Sequence, residues 1–164
     1  MGAPMTGGAV GSVLIVDDDP RIREMLSRWL SAAGHGIAEA PDADAALVHL
    51  DAAACDVVLC DVNMPGHDGL WLVARLRERF PAVAVVLATA ESEISGSVTL
   101  QPGVVGYLVK PFTAAGVLAA VQRAVEWRRT GAQRADTAGP ASAIDDWLRG
   151  GRPRRPPEGE TNGG

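Results

Sequence analysis

The chain is poor in aromatic residues and in cysteine, and it has no apolar run long enough to cross a bilayer. Only 4% of its 164 residues are Phe, Trp or Tyr, so a buried core must consist mainly of aliphatic side chains. A membrane-spanning helix needs about 20 consecutive apolar residues, and no run approaches that length. The first residues also lack the basic and apolar regions of a secretory signal. We therefore expect a cytoplasmic location without membrane insertion.

The two cysteines, Cys55 and Cys60, provide neither a disulfide framework nor the four ligands of a structural zinc site. Cys60 ends the apolar run that starts at Val57, which predicts a small buried side chain. Acidic residues outnumber basic residues by 20 to 15, and the net charge is −5 at pH 7. Because nucleic-acid binding depends on Lys and Arg contacts with phosphates, no direct binding of nucleic acid is expected.

Composition divides the chain into three parts. Residues 1–11 are rich in Gly, Ala and Pro and are predicted to form a disordered extension. Residues 12–129 carry the aliphatic runs and are predicted to form one domain. Residues 130–164 are rich in Gly, Pro and Arg, which predicts a flexible tail with a short helical turn at 143–149.

Within residues 12–129, short aliphatic runs alternate with segments of helical periodicity. The predicted strands lie at 13–16, 37–40, 57–60, 83–88 and 104–109. Predicted helices begin near residues 20, 42, 69, 93 and 113, and the last one ends near Arg129. The helix at 93–101 has the weakest pattern because Gly96 interrupts it. Continuous apolar strands alternating with amphipathic helices indicate an α/β fold with a parallel sheet covered on both faces.

Polar residues follow four of the predicted strands. They are Asp17 and Asp18 after the first strand, Asp61 after the third, Thr89 after the fourth and Lys110 after the fifth. Ligands bind at the carboxyl ends of strands in open parallel sheets, so we expect these side chains to converge. Three close carboxylates repel unless a cation separates them, and oxygen ligands suit Mg²⁺. A carboxylate can also attack phosphorus, while an ammonium and a hydroxyl neutralise and position the phosphoryl oxygens.

Lys110 is the residue that composition singles out. It is the only lysine among 15 Lys and Arg residues, which suggests that a compact ammonium is needed at this position. Pro111 follows it, and the sequence leaves open whether the bond between them is cis. The other polar residues at the strand ends also have simpler explanations. Asp17 and Asp18 can be helix caps, and Thr89 can be an ordinary hydroxyl at a strand end.

Together these residues resemble the receiver domains of response regulators, of which the chemotaxis regulator is the simplest. The resemblance covers residues 12–129, and its motifs are Leu14 to Pro20 (LIVDDDP), Cys60 to Gly69 (CDVNMPGHDG), Leu87 to Ala90 (LATA) and Tyr107 to Phe112 (YLVKPF). It implies a flavodoxin-like, doubly wound sheet of five parallel strands in the order 2-1-3-4-5, with helices on both faces.

The resemblance also implies a role for each of eight residues. It makes Asp61 the phospho-acceptor. The protein ligands of a Mg²⁺ ion would be Asp18, Asp61, the main-chain carbonyl of Asn63 and, through water, Asp17. The residues that bind the phosphoryl group and switch with it would be Thr89, Lys110 and Tyr107. The two that tune the lifetime of the phosphorylated state would be Asn63 and Glu91.

The expected function is phosphorelay signal transduction by a stand-alone receiver. A sensor histidine kinase or a phosphotransfer protein would donate the phosphoryl group, and a downstream protein would be the output partner. We expect no enzymatic activity beyond self-phosphorylation and autodephosphorylation. One alternative is an interaction module of the same fold that works without phosphorylation. The other is an aspartate-nucleophile phosphatase of the haloacid-dehalogenase type, in which the nucleophile follows the first strand.

Overall fold

The computed structural model describes residues 11–90 and 103–134. Within these ranges the strands are β1 (Ser12–Val16), β2 (Gly36–Ala40), β3 (Val57–Asp61), β4 (Ala84–Ala90) and β5 (Val104–Lys110). The helices are α1 (Pro20–Ala32), α2 (Ala43–Ala52), α3 (Gly69–Arg79) and α4 (Ala114–Arg134). None of these helices is both long enough and apolar enough to cross a membrane.

The five strands form one parallel sheet in the order β2-β1-β3-β4-β5. This order confirms the fold that the family resemblance implies. Strand β3 is buried along its whole length, and β1 and β4 are buried at all but one residue each. Strands covered on both faces have no polar side to present to water, which explains why their sequences are continuous apolar runs rather than alternating ones.

Alternate residues of each strand point to opposite faces and enter two separate cores. On one face, Leu14 and Val16 pack in a cluster with residues of α2 and α3. On the other face, Val13 and Ile15 pack in a cluster with residues of α1 and α4. The sheet is therefore held between two helical layers, and the ends of its strands are the places where polar groups can collect.

An aspartate caps each of the first three helices. The side chain of Asp19 accepts a hydrogen bond from the amide of Arg21, that of Asp42 from Ala45 and that of Asp68 from Trp71. These contacts satisfy amides that have no partner inside their own helix. Of the three consecutive acids after β1, Asp19 therefore caps α1, and the side chains of Asp17 and Asp18 are available for other contacts.

Some predicted boundaries differ from the structure. Helix α4 does not end near Arg129 but continues to Arg134, because the residues after Arg129 contain no proline to stop it. Strand β4 extends beyond Ala88 and includes Thr89. The predicted helix at 93–101, the helical turn at 143–149, and Glu91 lie outside the described residues, as do residues 1–10 of the predicted extension.

Both cysteines are buried, and we expect both to resist alkylation. Burial raises the pKa of Cys55 to about 11, and burial followed by the nearby charges of Asp61 and Asp17 raises the pKa of Cys60 well above its usual value. Only the thiolate reacts, so iodoacetamide at pH 8 should modify the native protein about a hundredfold more slowly than the urea-unfolded chain. Mass spectrometry of quenched samples measures this, and labelling of either cysteine at the unfolded rate would contradict the buried placement.

Candidate functional site

The carboxyl edge of the sheet brings the predicted polar residues together. Asp17 follows β1 directly, while Asp61 and Lys110 are the last residues of β3 and β5. Val16 pairs with Cys60 across the neighbouring strands β1 and β3, so Asp17 and Asp61 lie side by side. The strand order reverses between β1 and β3, and such a reversal opens a crevice at the carboxyl ends of the strands.

Lys110 forms a hydrogen-bonded ion pair with Asp61. Its Nζ donates to Asp61 Oδ2 at 2.9 Å and lies 3.8 Å from Asp17 Oδ2. Strand β4 separates β5 from β3, so the lysine stem has to cross the end of a whole strand, about 5 Å in width, to reach Asp61. This span explains why a long, unbranched side chain with a terminal charge occupies the position. The peptide bond between Lys110 and Pro111 is cis.

Three carboxylates meet beside this lysine. One oxygen each of Asp17, Asp18 and Asp61 lies within 4.8 Å of the others. Asp17 is 2% exposed and Asp61 is 7% exposed, whereas Asp18 faces solvent. An all-oxygen donor set with one open side matches the preference of Mg²⁺, which binds one or two protein carboxylates and keeps several waters. The residues present therefore fit the divalent cation that the family resemblance implies.

The electrostatics of the site also favour a cation. Burial raises the pKa of Asp17, and the charges of Asp61 and Asp18 add to this, although the Asp19 amide and Lys110 act in the opposite direction. For Lys110, burial would lower the pKa, but the hydrogen bond and charge of Asp61, with the further acids, outweigh it and raise the pKa. The pocket thus holds excess negative charge that one ammonium does not fully balance.

Thr89 and Asn63 flank Asp61. Asp61 pairs with Ala88, so Thr89 lies one residue further along the adjacent strand, where it is buried and its hydroxyl donates to the Ala90 carbonyl at 3.2 Å. The amide of Asn63 donates to Asp61 Oδ1 at 3.2 Å. The two oxygens of Asp61 are therefore held separately, one by an amide and the other by the ammonium of Lys110.

Tyr107 is buried in the core, whereas His67 is exposed in a loop. Tyr107 is 5% exposed and belongs to the same buried cluster as Leu14 and Val16, and burial raises the pKa of its hydroxyl. His67 is exposed in the loop before α3; its ring stacks on Trp71 with centroids 3.6 Å apart, and its Nδ1 lies 3.3 Å from Asp44 Oδ1. The contacts of His67 thus lie at the start of α3 and with Asp44 of α2.

Two residues contact the main chain of the site without having been singled out by the sequence. A Cβ on Gly69 would lie 2.5 Å from the carbonyl oxygen of Asp61, so only glycine lets the start of α3 approach β3 this closely. The sequence marks Gly69 only as a turn residue. Arg23 donates from Nη1 to the carbonyl of Asp17 at 2.5 Å. Its position on an amphipathic helix indicates nothing more than a polar face.

Comparisons with known proteins agree with this geometry. Residues 13–122 match the family model described as response regulator receiver domain. The chain is 42% identical over 112 residues to the response regulator protein FleR of Pseudomonas aeruginosa, covering 68% of this chain and 24% of that protein. It is 38% identical over 116 residues to the DNA-binding transcriptional regulator NtrC of Salmonella typhimurium, covering 70% of this chain and 25% of that protein. The chain thus spans about a quarter of the length of these curated relatives.

Solved receiver structures also resemble this chain. The chemotaxis protein CheY4 of Vibrio cholerae gives a TM-score of 0.65 at 33% identity, covering 70% of this chain and 98% of that chain. The receiver domain of NtrX from Brucella abortus gives a TM-score of 0.66 at 32% identity, with the same coverage of both chains. The family match, the sheet order and the acidic edge lead to one conclusion. This chain belongs to the response regulator receiver family.

Proposed function

We propose that Asp61 accepts a phosphoryl group from the phosphohistidine of a sensor histidine kinase or a phosphotransfer protein. Receiver domains are phosphorylated by histidine kinases, which gives the class of donor. The observation that supports Asp61 most strongly is its pairing with Lys110 at 2.9 Å, in a pocket that holds two further carboxylates. The same arrangement favours phosphoryl transfer over the alternative of an interaction module that works without phosphorylation.

The chemistry requires little beyond positioning and charge neutralisation. A carboxylate oxygen of Asp61 attacks the phosphorus, the phosphorus–nitrogen bond of the donor breaks, and the donor imidazole leaves with its electron pair and takes up a proton. Lys110 lies where its ammonium can contact both the new acyl phosphate and the incoming phosphoryl oxygens. Burial of Asp61 limits the access of bulk water to the product.

Asp17, Asp18 and Asp61 would hold a Mg²⁺ ion, with Asp17 acting through water and the main-chain carbonyl of Asn63 as a further ligand. When bound, the ion supplies positive charge beside the phosphoryl oxygens and helps to orient them. The close approach of the three carboxylates and the raised pKa of Asp17 support a cation at this position.

The switch would begin at the phosphoryl group, which adds roughly −1.5 to −2 charge near neutral pH. Lys110 and Thr89 would bind it, and the Thr89 hydroxyl would have to leave the Ala90 carbonyl to do so. Tyr107 would move with Thr89 and change the surface offered to a downstream protein. Both states exist in the unmodified domain in this scheme, and phosphorylation shifts their populations. Asn63 and Glu91 would set how long the phosphorylated state lasts.

The wider organisation of the protein stays a prediction. It includes a receiver at 12–129, a tail at 130–164 and a cytoplasmic location. Helix α4 crosses the predicted start of the tail. The relatives named as DNA-binding regulators are about four times as long as the matched region, so the absence of direct nucleic-acid binding is proposed for the receiver alone. Self-phosphorylation and autodephosphorylation are proposed activities of the same aspartate.

Replacing Asp61 by Asn should abolish phosphorylation by acetyl phosphate in the presence of Mg²⁺. The amide of asparagine is a far weaker nucleophile than a carboxylate, and it cannot form the acyl phosphate. Phosphate-affinity electrophoresis measures the labelled fraction. Asp68→Asn is the matched control, because asparagine also caps a helix and the residue lies in the same loop. Labelling of the Asp61 variant at the wild-type level would show that another residue is the acceptor.

Replacing Asp17 by Asn should stabilise the metal-free domain by on the order of 1 kcal/mol. Because the folded-state pKa of Asp17 is raised, its ionised form destabilises the fold at neutral pH, and this penalty is relieved as pH falls through that pKa. The asparagine oxygen can still accept from the Asp19 amide.

Urea unfolding in EDTA and in Mg²⁺ measures both parts of this prediction. Mg²⁺ should raise the free energy of unfolding of the wild type more than that of the variant, since the variant binds the ion less tightly. A variant that is less stable than the wild type in EDTA would indicate that burial of the ionised Asp17 carboxylate and its repulsion by Asp61 and Asp18 do not destabilise the fold.

A further inference from the structure

Arg23 lies in the second turn of α1 and reaches back to the loop that carries the acidic pair. Its side chain is 17% exposed, which is unusually buried for an arginine on a helix surface. Nη1 donates to the main-chain carbonyl of Asp17 at 2.5 Å. Nε lies 3.5 Å from Oε1 of Glu39 on β2. The guanidinium therefore joins the helix, the loop and the neighbouring strand.

The backbone of α1 holds the loop on the other side of Asp18. The main-chain amide of Arg23 donates to the carbonyl of Asp19 at 3.1 Å. This bond belongs to the first turn of α1 and does not depend on the side chain at position 23, so the contribution of the arginine side chain is its contact with the carbonyl immediately before Asp18. Asp18 itself is exposed, so the position of its carboxylate depends on how firmly these two neighbouring peptide groups are held.

Besides the ion pair with Lys110, the main chain also contacts Asp17. Its amide donates to the Ala40 carbonyl at 3.2 Å, and its Oδ1 accepts from the Asp19 amide at 2.9 Å. The contact from Arg23 is made by a side chain and can be removed by substitution without altering the backbone. This allows the contribution of the arginine to be measured separately from that of the loop.

We infer that Arg23 is a positioning residue that holds the Asp18 carboxylate where it can bind a divalent cation beside Asp61. The inference rests on the proposed function, because it concerns the same acidic site. In this role Arg23 acts through the main chain of the loop and not by contact with the carboxylates of Asp17, Asp18 and Asp61 or with the phosphoryl group. Replacing a residue that contacts a metal ligand without touching the metal typically lowers the affinity for the metal by about 10- to 100-fold.

Charge and positioning predict opposite results for the loss of Arg23. A guanidinium near the site repels a cation, so its removal should tighten Mg²⁺ binding if charge alone matters. Glu39 already offsets part of this charge. If Arg23 positions Asp18, its removal should weaken binding in spite of the more favourable charge. The direction of the change therefore decides between the two roles.

The test is calorimetric titration of the folded protein with MgCl₂, using Arg23→Met and Arg28→Met. Methionine keeps much of the apolar stem and removes the guanidinium. Arg28 is the matched control because it lies on the same helix, carries the same charge and pairs with the exposed Glu24. We expect Arg23→Met to bind Mg²⁺ about tenfold more weakly than the wild type, and Arg28→Met to bind it equally well or slightly more tightly.

A second readout needs no metal. In EDTA, the amides of Asp18 and Asp19 should exchange with deuterium faster in Arg23→Met than in Arg28→Met, while amides of β3 keep their wild-type protection. Arg23→Lys keeps the charge but loses the planar fork, so weaker Mg²⁺ binding in that variant also indicates positioning. It is the variant to use if Arg23→Met does not fold.

Unchanged or tighter Mg²⁺ binding in Arg23→Met, with unchanged amide exchange, would overturn the inference. Equal weakening in Arg28→Met would also overturn it, since the effect would then be one of the helix rather than of the loop contact. Failure of the wild type itself to bind Mg²⁺ would instead contradict the proposed function, so the two failures are distinguishable.

Discussion

Repulsion among three carboxylates at one edge of the sheet is the constraint on which the rest of the site depends. Asp17, Asp18 and Asp61 have oxygens within 4.8 Å of one another, and two of the three side chains are buried. The ammonium of Lys110 balances part of this charge from across β4. The remaining negative charge favours a divalent cation, and a bound cation would reduce the repulsion that an incoming phosphoryl group meets.

The fold makes this arrangement tolerable by fixing the backbone around it. The central strands β1 and β3 are buried on both faces, so their ends cannot move apart to relieve the repulsion. Gly69 allows α3 to pack directly on the carbonyl of Asp61, and Asn63 holds one oxygen of its carboxylate. Arg23 acts in the same way on the loop after β1. The free energy that opposes repulsion comes from the aliphatic cores rather than from the site itself.

The convergence of the site could be predicted from sequence because polar residues interrupt the aliphatic runs at the strand ends, and the ends of parallel strands meet. The lone lysine was a further signal. Other features leave no such signal. Three consecutive acids follow β1, and their pattern alone does not show that Asp19 caps a helix while Asp17 enters the pocket. Arg23 has the appearance of a solvated charge on a helix, since its contact with Asp17 depends on how α1 lies against the loop. The extension of α4 to Arg134 was missed because a change in composition was interpreted as the end of a helix.

The identity of the acceptor is the central claim, and chemical reduction tests it most directly. Borohydride converts an aspartyl phosphate to homoserine, which changes the mass of that one residue. The protein should be treated with acetyl phosphate and Mg²⁺, reduced, digested and analysed by tandem mass spectrometry. We predict homoserine at position 61, with Asp17 and Asp18 unmodified. Homoserine at either of those positions, or the absence of any reduced residue in a sample that carries acid-labile phosphate, would contradict the account.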